Sequence, residues 1–178
     1  MCAQKMSCFD AAIKLLSKRD YSVKEMAGKL KEKSYEGHTI AETIDRLEGK
    51  GWLDDEKFAL NKTRYRAEIS KWGAQRIRQE LMQKGIASSL IDKALAEIKE
   101  PADPSYDQPH DFQESATQLL ERRFGLLEQT ESPTEFEEKQ QWLKQRKKEK
   151  KRRLDFLLRR GFSTDESLKA LSQNMADA

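Results

Sequence analysis

Apolar residues recur at helical spacing through most of this chain. Phe9, Ala12, Ile13, Leu15 and Leu16 fall on one face of a stretch from about Ser7 to Lys18, the pattern of an amphipathic helix. Asp20, Tyr21 and Ser22 break it. Ser22 followed by Glu25 is a capping-box spacing, so a second helix is predicted from there to about Lys33, with Met26 and Leu30 inward. Gly28 costs that helix about 1 kcal/mol relative to alanine, so packing must hold it. A third helix is predicted from about Thr39 to Gly49, with Ile40, Ile44 and Leu47 on one face and Gly49 and Gly51 as its stop.

The same pattern returns 51 positions later without a gap: Met26 falls on Ile77, Leu30 on Leu81, Lys33 on Lys84, Tyr35 on Ile86, Ile40 on Ile91, Ile44 on Leu95 and Leu47 on Ile98. Matches confined to inward and turn positions mark an internal repeat. In this second copy Asp54 or Asp55 opens a long helix to about Ser70, Gly73 restarts the chain, and Lys84-Gly85 closes the next helix with a glycine free to turn left-handed. Ser88 or Ser89 opens the last helix, to about Lys99. A looser third copy sits at an offset of 76, where Leu157 matches Leu81, Arg160-Gly161-Phe162 matches Lys84-Gly85-Ile86, and Lys169-Ala170-Leu171 matches Lys93-Ala94-Leu95.

Between the second and third copies lies PADPSYDQPH at 101–110, whose prolines mark a linker that lets the two move. A helix is predicted from Asp111 to Phe124, then an acidic loop from Gly125 to Glu138 interrupted by Pro133. The expected architecture is all-α: an elongated array of three tandem three-helix repeats at 1–50, 51–100 and 101–178, the last including the linker.

Composition agrees. Charged residues make up 37% of the chain and the mean hydropathy is −0.91, which favours thin local cores over one deep one. Cys2 and Cys8 are too close together to staple a fold and have no histidine at metal-ligand spacing, so they are expected to be free thiols in a reducing cytosol. No apolar run reaches the roughly 20 residues of a membrane span. The first residues, MCAQKMSCFD, reach Asp10 before a signal-peptide core could form, and a cytoplasmic protein is expected.

The net charge of +3 hides a segregation. Lys62, Arg64, Arg66, Lys71, Arg76, Arg78 and Lys84 cluster in the second repeat. Lys144, Arg146, Lys147, Lys148, Lys150, Lys151, Arg152, Arg153, Arg159 and Arg160 cluster in the third, and an acidic stretch lies between. With Ile77 and Leu81 inward, Arg76 points away from the core stripe and is the better contact candidate; Arg78 flanks the stripe, where its stem can lie along apolar surface. Pairing of Arg76 with Glu80 is the competing reading. The run from 144 to 153 is too dense for Glu149 and Asp155 to neutralise. It reads either as a solvated face or as a surface for phosphate or acidic protein. Trp52, Trp72 and Trp142 fit junction packing better than stacking on bases.

Nothing points to catalysis. His38 and His110 stand alone in turn and linker positions, and no Ser-His-Asp, HExxH or paired-Cys spacing accompanies them. No glycine-rich phosphate loop is present. Asp54-Asp55-Glu56 is explained by helix capping and the macrodipole rather than by metal binding. No cofactor, metal or small-molecule substrate is expected.

An ordered set of residues resembles the RecX family. It runs through Arg19-Asp20-Tyr21-Ser22 with Glu25, Gly51-Trp52-Leu53-Asp54-Asp55-Glu56-Lys57-Phe58-Ala59, Trp72-Gly73, Arg76-Ile77-Arg78-Gln79-Glu80-Leu81 and Lys84-Gly85-Ile86. In the third unit it continues with Asp111-Phe112, Ala116, Arg122-Arg123-Phe124-Gly125 and Arg160-Gly161-Phe162. Three departures stand out. Ala74 replaces the usual proline, Ser70-Lys71 replaces a basic residue followed by glycine, and residues 128–151 do not follow the family pattern.

The resemblance implies tandem three-helix repeats and a non-enzymatic regulator. RecX-like proteins bind the RecA recombinase filament on single-stranded DNA, along its groove, and suppress its ATPase, strand-exchange and coprotease activities, and so act on recombination, DNA repair and the SOS response. Applied here, it implies a monomer contacting DNA phosphate or RecA. The residues offered for that contact are Arg64, Arg66, Lys71, Arg76, Lys84, Lys144, Arg146, Lys147, Lys150, Lys151, Arg152 and Arg153. A stand-alone helical DNA-binding module is the alternative, weakened by the lack of a base-reading polar set. A scaffold that binds only protein is a third class.

Overall fold

The structure, a computed structural model, describes residues 6–100, 109–127 and 132–176. Cys2, most of the expected linker and part of the expected acidic loop lie outside the described residues. Among these residues every regular element is a helix: α1 (Cys8–Leu16), α2 (Val23–Glu32), α3 (Gly37–Gly49), α4 (Asp55–Glu68), α5 (Ala74–Gln83), α6 (Ser88–Lys99), α7 (Phe112–Phe124), α8 (Phe136–Arg160) and α9 (Thr164–Ala176). The protein is all-α.

Local chemistry places most helix ends. The Ser7 and Asp111 side chains accept from the Asp10 and Gln113 backbone N–H groups and open α1 and α7. The Ser22–Glu25 capping box opens α2, and Ser163 and Glu166 exchange the same pair of bonds at the start of α9. Two boundaries differ from expectation. Helix α3 begins at Gly37 rather than Thr39, because a first turn needs no core contact and so leaves no trace in the apolar pattern. Helix α8 begins at Phe136, inside the predicted loop. Glu137 and Glu138 lie in its first turn, where negative charge favours the helix rather than opposing it.

The chain divides into two compact units. One comprises residues up to Thr63 with Glu80–Glu97, the other Arg64–Gln79 with the residues from Ile98 onward, so α4, α5 and α6 each contribute to both. In the first unit α1, α2 and α3 pack together around Ala12, Met26, Leu30, Ile44 and Leu47. In the second, α7, α8 and α9 pack together around Phe112, Ala116, Leu120, Leu157, Phe162 and Ala170, all buried.

The repeat offsets reappear in the backbone. Ser34, Gly85 and Gly161 all have positive φ, at 60°, 85° and 87°. After each, the next N–H reaches back to the leucine carbonyl five residues earlier: Tyr35 to Leu30 at 3.4 Å, Ile86 to Leu81 at 3.1 Å and Phe162 to Leu157 at 3.2 Å. This left-handed closure satisfies carbonyls that a helix C-terminus would leave bare.

Two of these closures receive the start of another helix. In the first unit the Ser22 hydroxyl, at the start of α2, donates to the Lys84 carbonyl at 2.7 Å. The Lys24 ammonium donates to the Gln83 carbonyl at 3.4 Å. In the second unit the Gly73 N–H, at the start of α5, donates to the Arg160 carbonyl at 2.9 Å and the Gln75 N–H to the Gly161 carbonyl at 3.0 Å. Residues 22 and 73 are related by the offset of 51, and 84 and 160 by that of 76. One geometry is therefore built twice, by a side chain in one unit and by bare backbone in the other.

Helix α8 departs from the repeat. At the offset of 76 the first residue of α5, Ala74, maps on Lys150, so residues 136–149 form an N-terminal extension of a helix that runs 25 residues against 10 for α5.

Candidate partner-binding surface

Three candidate cations of the second repeat, Arg66, Arg76 and Lys84, are drawn into the junctions rather than left on an open face. In the second unit the Arg66 and Arg76 guanidinium carbons lie over the Trp72 ring, 4.2 and 3.9 Å from its centroid. Arg76 also donates to the Arg159 carbonyl at 3.4 Å. Its backbone crowds Gly161, where an added Cβ would lie 2.4 Å from the Arg76 nitrogen. Trp72 is thus a packing residue of the junction, as a tryptophan at a unit boundary most often is. Arg64 is half-buried, and Lys71 is half-buried with a φ of 50°. That left-handed residue stands where the related pattern has glycine.

Lys84 has an internal role. Its ammonium lies 2.7 Å from Glu25 Oε1 in the first unit. Burial works against ionisation of Glu25, but the Lys84 hydrogen bond and charge, joined by the Ser22 N–H and Arg19, outweigh it and hold the carboxyl below its ordinary range. The acids expected to cap α4 divide their work. Asp54 accepts from the Lys57 N–H at 3.0 Å, a capping bond. Asp55 instead accepts from the Val23 N–H at 2.9 Å, tying α4 to the start of α2, and burial raises its pKa despite that bond.

On α8 the basic run splits by helical phase. Arg153 is 4% exposed, and the structure removes it from the candidate surface. Its guanidinium donates to the Gly125 carbonyl at 2.8 Å, the Phe124 carbonyl at 3.3 Å, Glu149 Oε1 at 3.2 Å and Asn174 Oδ1. A buried cation needs such a full set of acceptors. The signal was legible: Arg153 precedes buried Leu157 by four residues and shares its inward stripe. Lys144, Lys147, Lys148, Lys151 and Arg152 remain exposed, while Arg146 and Lys150 are half-buried. Arg146 lies 4.7 Å over the Trp142 ring, and Arg152 pairs with Glu149 at 3.6 Å.

Of the exposed cations, Lys148, Lys151 and Arg152 line an open groove of about 910 Å³ between α8 and the Leu126-Leu127 segment, together with Arg146 and Arg159. The charge pattern pointed to α8, but the apolar side of this groove was not anticipated, because Leu126 and Leu127 fall in a stretch read only as acidic loop.

The two histidines serve local structure. His38 is exposed beside Glu36, at 3.4 Å. His110 stacks edge-on against Phe112 at 4.7 Å, and burial, with the Lys71 charge, pushes its pKa down. Among the described residues no three His, Cys, Asp or Glu side chains gather as metal ligands do, and no helix is long and apolar enough to cross a membrane.

Comparison with known proteins agrees with the repeat pattern. Residues 8–47 match the family model described as the first three-helix domain of RecX, and residues 54–95 match that of its second three-helix domain. The chain is 31% identical over 170 residues to the regulatory protein RecX of Haemophilus influenzae (strain PittGG), covering 95% of both. It is 34% identical over 171 residues to that of Vibrio campbellii, covering 96% of this chain and 93% of the relative. The crystal structure of RecX from Lactobacillus salivarius superposes with a TM-score of 0.67 over 94% of each chain, at 21% identity, a likeness of fold.

Proposed function

Because the chain belongs to the RecX family of regulatory proteins, we propose that it is a non-enzymatic modulator of the RecA filament on single-stranded DNA, lowering its ATPase, strand-exchange and coprotease activities. It acts as a cytoplasmic monomer whose three repeats, at 1–50, 51–100 and 101–178, engage the filament. The observation that carries this reading is the exposed basic face of α8, formed by Lys144, Lys147, Lys151 and Arg152. Such a face suits DNA phosphate or an acidic protein surface. Arg64, Arg66, Lys71 and Arg76 support it from the second unit, Arg66 and Arg76 through positions that also build the junction.

The test is RecA ATP hydrolysis on single-stranded DNA with this protein titrated in, at low and moderate salt. Inhibition is expected at or below one molecule per RecA protomer; unchanged hydrolysis at that ratio rejects the reading. Reversing Lys144, Lys147 and Lys151 to glutamate is expected to weaken inhibition and flatten its salt dependence. Full inhibition by that variant would place the working surface elsewhere.

A further inference from the structure

We propose that the groove between α8 and the Leu126-Leu127 segment docks an acidic, amphipathic segment of a partner protein. This goes beyond the RecA reading and does not depend on it. One wall carries Arg146, Lys148, Lys151, Arg152 and Arg159 against two acids, Glu149 and Asp155. Glu149 is already engaged by Arg152 and by buried Arg153, so the wall presents net positive charge. The other wall is apolar. Leu126 is 44% exposed, and Leu127 lines the groove with it, while Trp142 of α8 lines the groove from the basic wall.

The leucines are held in place. The Gly125 carbonyl accepts from Arg153 at 2.8 Å and from the Asn174 amide at 3.3 Å, and the Leu127 N–H donates to the Asn174 carbonyl at 3.1 Å. A pre-formed site loses little conformational freedom on binding. Buried Arg153 therefore acts as a positioning residue for this wall.

Groove chemistry favours protein over nucleic acid. Single-stranded bases are captured by stacking on aromatic faces. Here the Trp142 ring has Arg146 over it at 4.7 Å, and the remaining apolar wall is aliphatic. A leucine or phenylalanine side chain fits such a wall, as helix-in-groove recognition uses anchors at i, i+3, i+4 and i+7. From Trp142 to Arg159 the helix runs about 25 Å, room for a partner helix of several turns. Lys148, Lys151, Arg152 and Arg159 fall along one side of α8 at spacings that an acidic stripe on such a helix can meet.

The probe is a labelled helical peptide of about fifteen residues, the length that spans about 22 Å, made of Glu, Ala and Leu with the leucines on one face. Its binding is read by fluorescence anisotropy. Controls are the same peptide with serine in place of leucine, and a single-stranded oligonucleotide. Wild-type protein is expected to bind the amphipathic peptide more tightly than the serine control. Lys148→Glu with Lys151→Glu weakens it on the order of tenfold. Leu126→Ser weakens the amphipathic peptide but not the serine control. All three positions are exposed, and matched thermal melts confirm that the fold is retained. Should the double variant misfold, Leu126→Ser against the two peptides decides alone. Equal binding of both peptides, or indifference of the amphipathic one to Leu126→Ser, overturns the proposal. So does an oligonucleotide that displaces the peptide and itself loses affinity on Leu126→Ser, which would make the groove a nucleic-acid site.

Discussion

The two helix-end junctions reach one arrangement by opposite means. In the first unit Ser22 is fully buried, and its hydroxyl both accepts from the Glu25 N–H at 3.2 Å and donates to the Lys84 carbonyl at 2.7 Å. The side chain bridges the gap, and the Lys84–Glu25 pair reinforces it. In the second unit the matching residue is Gly73, and an added Cβ there would lie 2.2 Å from the Gly161 carbonyl carbon. With no side chain, backbone meets backbone directly. Arg76 replaces Glu25, and Arg76 and Arg160 do not pair with each other but donate to the carbonyls of Arg159 and Ser70. A repeat thus preserves geometry while exchanging the chemistry that fills it.

The largest effect that separates the junctions is alanine at the receiving glycine. At Gly161 the new Cβ meets the Arg76 backbone nitrogen at 2.4 Å, which cannot move without disturbing α5. Gly161→Ala is expected to cost about 3 kcal/mol. At Gly85 the new Cβ meets the Lys24 Cδ at 2.4 Å, which can swing away, and the Lys24 Cβ at 2.7 Å, which the backbone of α2 holds. Gly85→Ala should therefore cost the left-handed backbone strain, about 1–2 kcal/mol, and a smaller clash than at Gly161. Urea titrations measure both; equal costs would show that the approach of α5 is not rigid.

Ser22→Gly tests whether the side chain carries the first junction. The loss of its bridging hydrogen bond and cap is expected to cost about 1 kcal/mol. A larger loss would mean the helix start itself shifts. Arg76→Glu, by contrast, is not a clean surface test, because Arg76 packs on Trp72 and crowds Gly161.

Acid should separate the junctions next. The Glu25 pKa is lowered in the fold, so its contribution is complete above the unfolded value of about 4.3 and is lost as pH falls through the folded value. The stability difference between wild type and Lys84→Met is expected at neutral pH and should vanish under stronger acid. A constant difference would deny the ion pair its role. Asp55 shifts in the opposite direction, and comparison with the variant cancels it. The second unit has its own acid limb at higher pH. The lowered pKa of His110 makes stability decline as pH falls below about 6.5, an effect that His110→Gln should remove.

The smallest effect is a gain. Lys71 holds a φ of 50° just before the second junction, and Lys71→Gly should stabilise by about 0.5–1 kcal/mol, the strain relieved less the added freedom of the unfolded chain. No gain would indicate that interactions of the Lys71 side chain offset its strain.

What the sequence determined by itself is what depends on neighbours along the chain. The helices, the Ser22–Glu25 box, the closures at Gly85 and Gly161 and the offsets of 51 and 76 follow from periodicity and from capping chemistry that acts within a few residues. Helix α8 shows the limit: acidic residues before a basic run suit a loop and a first helical turn equally, and the start at Phe136 was missed. Helical phase marks Arg153 as inward, but which distant acceptors hold the charges was decided only by tertiary structure. Lys84 meets Glu25 across 59 positions, and Arg153 meets Asn174 across 21. Such a long-range partner is whatever acceptor the fold carries to the cation, and no spacing along the chain records it, unlike the Glu149–Arg153 pair four residues apart.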